Sequence, residues 1–78
     1  MVRLKNIKRI NNSISCDYRA EDDADFGYIE VDLNSREFIE HIPCKRISAN
    51  IYAMHAKRRL IEIANENPLP TDSIVMWY

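Results

Sequence analysis

The first forty residues alternate between apolar and polar positions in short runs that predict β-strands. Between Ile14 and Ala20 every second residue is apolar, which is the pattern of a strand with one buried face. The run over 2–10 begins with the same period but slips phase near Asn6, which indicates a bulge. An Asn-Asn-Ser segment separates the two runs, and asparagine tolerates the left-handed backbone of a tight turn. We therefore expect a hairpin built from strands 2–10 and 13–20.

A second pair of strands is predicted over 26–33 and 37–42. Asp, Asn and Ser residues between them favour a turn, so we expect a second hairpin in which Phe38 lies opposite Val31. The acidic segment 21–25 breaks the alternation and is expected to be a solvated loop. The side of the third strand that points away from Val31 carries Phe26, Tyr28, Glu30 and Asp32.

A helical period follows over 48–66, where the apolar residues fall within an arc of roughly 120° on a helical wheel. Ser48 is expected to cap the amino end, and the Asn-Pro-Leu-Pro segment after residue 66 stops the helix. The apolar arc contains Ala49, Tyr52, Ala53, Ala56, Leu60, Ile63 and Ala64. The sequence therefore predicts one amphipathic helix.

The chain ends in a continuous apolar run over 73–78. This run predicts a short fifth strand, since frayed termini are rarely so apolar. Two hairpins and this C-terminal strand give an antiparallel sheet of four to five strands, and the amphipathic helix packs on one face of it, which is an α+β fold. With 78 residues, the chain is expected to form a single small domain over 1–78.

The composition excludes several classes of protein. No apolar run is long enough for a transmembrane helix, and the Met-Val-Arg-Leu-Lys-Asn start is too polar for a signal peptide, so we expect a cytoplasmic protein. The chain contains one glycine, Gly27. The glycine-rich loops that hold nucleotide phosphates are therefore absent from the sequence, and we expect no cofactor.

The cysteines and histidines that could form a metal site or a Cys–His nucleophile pair are Cys16, His41, Cys44 and His55. Only the His-x-x-Cys pair has metal-ligand spacing, and a structural zinc site normally needs two such pairs. A nucleophilic site would also need an orienting group and an oxyanion hole. We therefore expect buried thiols, surface histidines, no metal site and no enzymatic activity.

The net charge of −1 hides a segregation of charges along the chain. Residues 1–11 contain four cations and no acid, residues 12–43 nine acids and two cations, and residues 44–59 five cations and no acid. In one interpretation, oppositely charged segments face each other across neighbouring strands. In the other, basic residues bind an anion or a nucleic acid, and the candidate contacts are Arg3, Lys5, Lys8, Arg9, Lys45 and Arg46. The pI near 6.1 favours the first, because nucleic-acid-binding domains are usually basic.

Large apolar and aromatic side chains supply the strongest functional signal. The C-terminal run has residue types that protein interfaces favour, and a single helix leaves one sheet face uncovered. The candidate contact residues are Val75, Met76, Trp77, Tyr78, Phe26 and Tyr28. In the alternative, Trp77 packs beneath the helix as part of the core.

Together these patterns predict a non-enzymatic protein-interaction module. Its expected partner is another protein or a second copy of the chain in a homodimer, and no membrane partner is expected. The alternative function is that of a weak nucleic-acid-binding or anion-binding accessory protein that uses the basic N-terminal strand.

Overall fold

The structure, a computed structural model, describes residues 1–20, 24–45 and 48–76. In chain order its elements are β1 (Val2–Ile10), β2 (Ser13–Ala20), β3 (Gly27–Asp32), β4 (Phe38–Ile42), α1 (Ala49–Ile63) and β5 (Ser73–Val75). The strands form one antiparallel sheet in the order β4-β3-β2-β1-β5. Because α1 packs against one face of this sheet, the predicted α+β fold is confirmed.

The first hairpin contains the bulge that the phase slip predicts. The register of β1 against β2 shifts between Lys5 and Lys8. Asn6 lies within the shift and has a φ of 56°, and Asn11 in the following turn has a φ of 53°. Asparagine adopts this left-handed region more readily than most residues, which explains its use at both positions.

A local hydrogen bond stabilises the turn of the second hairpin. Asp32 Oδ1 accepts the backbone N–H of Asn34 at 2.7 Å, as aspartate often does in turns. Arg36, later in the turn, has a φ of 64°. Phe38 then lies opposite Val31, so the predicted pairing of these two residues is confirmed.

The third strand begins at glycine because the chain leaving β4 passes directly over it. A Cβ on Gly27 would lie 2.5 Å from the backbone nitrogen of Cys44 and 2.5 Å from the carbonyl oxygen of Ile42. Side-chain carbons do not approach backbone atoms so closely, so glycine is required here. This close approach brings Cys44 next to the ring of Tyr18.

One side of α1 covers the sheet, as its amphipathic pattern predicts. The buried residues of the helix are Ala49, Ala53, Ala56, Leu60 and Ile63. The buried residues of the sheet below come from the three central strands and are Val2, Leu4, Ile7, Ile14, Cys16, Tyr18, Ala20, Ile29 and Val31. Small alanines let the helix approach the sheet closely, and the larger apolar residues fill the space between.

The ends of α1 correct two expectations. The helix stops at Ile63 rather than at residue 66. The Arg9 guanidinium donates hydrogen bonds to the carbonyl of Ala64 at 2.7 Å and to Asn65 Oδ1 at 2.8 Å, so a cation from β1 occupies groups at the helix end. The Ser48 side chain makes no cap hydrogen bond. The only helix in the described part of the chain is neither long nor apolar enough to cross a membrane.

The fifth strand is present but shorter than predicted. It covers three residues, Ser73–Val75, and pairs with β1 so that Val75 lies opposite Val2. Met76 follows the strand, and the remainder of the predicted run, 77–78, lies outside the described residues. The third and fourth strands each begin one residue later than expected, and the third ends one residue earlier.

Candidate interaction surface

The sheet face that α1 leaves open carries rows of polar and charged side chains. Neighbouring residues of a strand point to opposite faces, so the residues between the buried ones lie on this open face. One row across the strands contains Lys8, Ser15, Glu30 and Glu40. The next row contains Lys5, Asp17, Tyr28 and Ile42, and a third contains Ile74, Arg3 and Arg19.

Cations concentrate on the β1 side of the open face. Arg3 lies directly opposite Arg19, and like charges in this position repel each other. Phe26 packs beside them: its ring centre is 5.7 Å from Lys5 Nζ and 5.1 Å from Arg19 Cζ, within the range of cation–π contacts. We call Arg3, Lys5, Lys8 and Arg19 the basic strip.

Carboxylates concentrate on the other side of the same face. Glu30 lies directly opposite Glu40, and Asp32 follows on the same side of β3. Within the described residues, no cation lies within ion-pair distance of either glutamate, so their mutual repulsion favours a cation from outside. We call Glu30, Asp32 and Glu40 the acidic strip. The small side chains of Ser13 and Ser15 on β2 lie between the two strips.

A cleft opens where the basic strip approaches β5. It has a volume of about 730 Å³ and is lined by Arg3, Lys5, Arg19 and Phe26. Phe26 is 38% exposed and lines the cleft. Asp72 also lines the cleft and introduces a carboxylate among the cations.

The structure divides the predicted interface residues between two surfaces. Tyr28 lies on the open face and Phe26 at its edge. Val75 pairs with the fully buried Val2 and packs on the helix side of the sheet. Met76 is exposed next to it. Trp77 and Tyr78 lie outside the described residues, so the choice between core and interface for Trp77 stays open.

The predicted anion contacts are also divided. Arg3, Lys5 and Lys8 share the open face, where β1 places them. Arg9 points to the other face and binds the end of α1. Lys45 is exposed, and its Nζ lies 3.8 Å from the carboxylate of Asp25 in the acidic segment. Arg46 lies outside the described residues.

A buried polar cluster connects β2 to the end of β4. The Tyr18 hydroxyl lies 2.6 Å from His41 Nε2 and accepts the backbone N–H of Cys44 at 3.2 Å. Burial raises the pKa of Tyr18 to about 12 and lowers the pKa of His41 below its usual 6.5. A protonated phenol therefore donates to a neutral imidazole. His41 was expected at the surface, and this expectation is wrong because the imidazole is half-buried and stacks on Phe38.

The two thiols are free and buried, as expected. Burial, together with the charge of Asp17, raises the pKa of Cys16 to about 12, so this thiol stays protonated. Among the described residues, no group of three or more His, Cys, Asp or Glu side chains could hold a metal ion.

The alternation of apolar and polar residues within single strands did not identify the two strips as parts of one face. The alternation within β1 and β3 already separates Lys8 and Glu30 from the core. The order of the strands, which brings Glu30 beside Glu40 and leaves the cations on the far side of β2, is information that only the fold supplies. Arg19 was also missed. Arg19 follows Tyr18 in the alternating run of β2, and this position could have assigned its side chain to the open face.

Comparisons with known proteins add no assignment to this surface. No protein-family model matches the chain. No curated protein and no solved structure matches it either. The chemistry of the surface is therefore the basis for a functional proposal.

Proposed function

We propose that this chain is a non-enzymatic interaction module that pairs with a second copy of itself through the open sheet face. The observation that carries the proposal is the division of one exposed face into a basic strip and an acidic strip. A face with both charges in separate strips is complementary to its own copy after a two-fold rotation. Each strip then lies against the opposite strip of the partner copy.

The strand register gives this pairing a specific contact. Lys8 lies in the same row as Glu30 and Glu40, on the other side of the central strand β2. A two-fold axis parallel to β2 exchanges the two sides of the row. Lys8 of each copy is then placed over the two glutamates of the other, as an isologous interface requires. Sheets packed face to face lie about 10 Å apart, a gap that a lysine and a glutamate bridge together.

The size of the face sets the expected affinity. Five strands about 4.8 Å apart, each about six residues long, give an open face of roughly 500 Å². Two copies would bury about 1,000 Å² in total, which is small for a specific protein interface. Because the charged groups also lose hydration on contact, we expect a dissociation constant in the micromolar range and dissociation at high salt.

The state of the thiols supports a role without catalysis, and it supports the cytoplasm as the compartment. The raised pKa of Cys16 keeps its thiol protonated and therefore a poor nucleophile. Both cysteines are free, and free thiols are usual in reducing compartments. The cytoplasmic location is part of the proposal.

The cleft beside Phe26 supports a second candidate function, the binding of a nucleic acid or another anion. Arg3, Lys5 and Arg19 line this cleft. A strand of nucleic acid laid across the face would also meet the acidic strip, and for this reason self-pairing is favoured. Salt-dependent binding of mixed single-stranded RNA that Lys5→Glu abolishes would support this second function. Absent or salt-insensitive binding would remove it.

Light scattering after size exclusion tests the proposal on the whole chain. At about 0.1 M salt and high protein concentration, we expect a mass near twice 9.2 kDa. At about 1 M salt, where the Debye length falls from about 10 Å to about 3 Å, we expect the monomer. Lys8→Glu should give the monomer under both conditions, because it places a third acid against the two glutamates of the partner.

A matched control separates this effect from a general effect of charge. Arg58→Glu makes the same change of two charge units on the exposed side of α1, far from the open face, and should leave the dimer unchanged. A monomer at every concentration would contradict the proposal. So would a dimer that neither high salt nor Lys8→Glu dissociates.

A further inference from the structure

A second surface lies on the opposite side of the molecule, along the outer face of α1. Two large apolar side chains on this face are more than half exposed, Ile51 at 55% and Met54 at 53%. Ile61 lies two turns after Met54, about 10 Å along the axis, and is partly buried. The outer face of an amphipathic helix is normally polar, so an exposed apolar stripe here indicates a binding surface.

A groove runs between this apolar stripe and the turn that joins β3 to β4. Its volume is about 570 Å³. Met54 and Ile61 contribute its apolar part, Lys57 and Arg58 line it from the helix, and Arg36 lines it from the turn. The groove therefore combines a hydrophobic contact area with three cations.

The positive charge of the groove is largely available to a ligand. Among the described residues that line it, Glu62 is the one acid, and its carboxylate lies 3.5 Å from the guanidinium of Arg59. Lys57 Nζ lies 5.0 Å from the centre of the Phe38 ring, a cation–π contact that fixes the lysine at the rim without neutralising it. The groove is thus complementary to carboxylates.

The backbone of Arg36 supplies an independent observation. Its φ of 64° lies in the left-handed region, where arginine is strained and glycine is not. A glycine would make the turn between Asp32 and Phe38 more stable. An arginine at this strained position, with its side chain on the groove, indicates that the side chain is used for binding.

We propose that this groove binds an acidic segment of a partner protein in which a large apolar residue is flanked by Asp or Glu. The apolar residue contacts Met54 and Ile61, and the carboxylates pair with Arg36, Lys57 and Arg58. This site is separate from the open sheet face. A dimer formed through that face would carry one groove on each outer side, and the two proposals fail or succeed independently.

Fluorescence anisotropy with a labelled peptide tests the groove on the intact chain. The probe is Glu-Asp-Leu-Phe-Glu-Asp-Leu-Glu, with a second peptide in which lysine replaces every acid. We expect the acidic peptide to bind and the lysine peptide not to bind. Arg58→Glu should weaken binding by about tenfold or more, because it replaces attraction by repulsion. Met54→Ser should also weaken it, whereas Lys8→Glu on the open face should leave it unchanged.

Arg36→Gly gives the most selective readout, because binding and stability should move in opposite directions. We expect weaker peptide binding together with a melting temperature raised by a few degrees. If Arg36 had only a structural role, the more stable Arg36→Gly variant would bind the peptide as tightly as the unmodified chain does.

Three results would overturn the proposal. The first is equal binding, or no binding, of the acidic and lysine peptides. The second is binding that Lys8→Glu weakens and Arg58→Glu does not, which would assign the peptide to the basic strip. The third is competition by oligothymidylate as strong as that by the unlabelled acidic peptide, which would indicate a general anion surface rather than a peptide groove.

Discussion

The two faces of the sheet are built from the same strands but carry different kinds of side chain. Under α1, side chains such as Leu4, Ile14 and Ile29 have no exposed surface. On the opposite face, alternate positions of the same strands carry charges. Because neighbouring residues of a strand point in opposite directions, β3 supplies Ile29 to the core and Glu30 to the surface. The comparison teaches that alternate residues of one strand build the core and the charged surface, so the two faces can be changed separately.

Shortening a core side chain should give the largest loss of stability and shows the difference between the two faces most clearly. Leu60 is fully buried where α1 meets the sheet, and Leu60→Ala should lower the free energy of unfolding by about 2–5 kcal/mol. Ile42→Ala on the open face should change it by less than about 0.5 kcal/mol. Urea denaturation followed by circular dichroism measures both. Similar losses in the two variants would show that the open face is packed.

Removal of one buried hydroxyl should have an intermediate effect. Tyr18→Phe leaves the N–H of Cys44 and the ring nitrogen of His41 without their partner, and an unsatisfied buried polar group costs about 1–3 kcal/mol. Tyr28→Phe, on the open face, is the matched control and should cost less than about 0.5 kcal/mol. The same denaturation experiment applies. Equal stability of Tyr18→Phe and the unmodified chain would mean that the cluster does not stabilise the fold.

The smallest expected effect is a pH dependence of the free energy of unfolding, which comes from His41 on the face of the sheet that α1 covers. Burial lowers the pKa of His41 in the folded chain below 6.5, so the folded state binds fewer protons than the unfolded state as the pH falls. The stability contribution of neutral His41 is complete above pH 6.5 and is lost as the pH falls from there through the folded pKa. The expected observation is a drop in stability over this window that His41→Gln reduces.

All other ionisable residues are the same in both proteins, so the difference between the two pH profiles isolates the imidazole. Parallel profiles for His41→Gln and the unmodified chain would remove His41 from this account.

Local patterns were sufficient to predict most of the fold. The alternation from Ile14 to Ala20 assigns each side chain of β2 to a face. The slipped phase near Asn6 identifies the bulge, because a single inserted residue must reverse the alternation. Periodicity likewise identifies the covered side of α1, since a helix that packs on a sheet needs a continuous apolar stripe.

Contacts between residues distant in sequence could not be predicted in this way. The end of α1 is bound by Arg9, which comes from the first strand. His41 on the edge strand β4 forms its hydrogen bond with a hydroxyl from β2, on the far side of β3. The opposition of the two charged strips depends on strand order, which composition and spacing do not contain. Each of these features combines distant segments, so local periodicity carries no signal for it.

Complementary charge reversal tests the central claim, self-pairing through the open face, most directly. Lys5→Glu with Lys8→Glu places two acids in the basic strip, and Glu30→Lys with Glu40→Lys places two cations in the acidic strip, so each variant repels its own copy and the two variants attract each other. Light scattering at low salt should give a mass near 9.2 kDa for each variant alone and near twice that value for their equimolar mixture. A mixture that stays monomeric while the unmodified chain dimerises, or a dimer of either variant alone, would contradict the account.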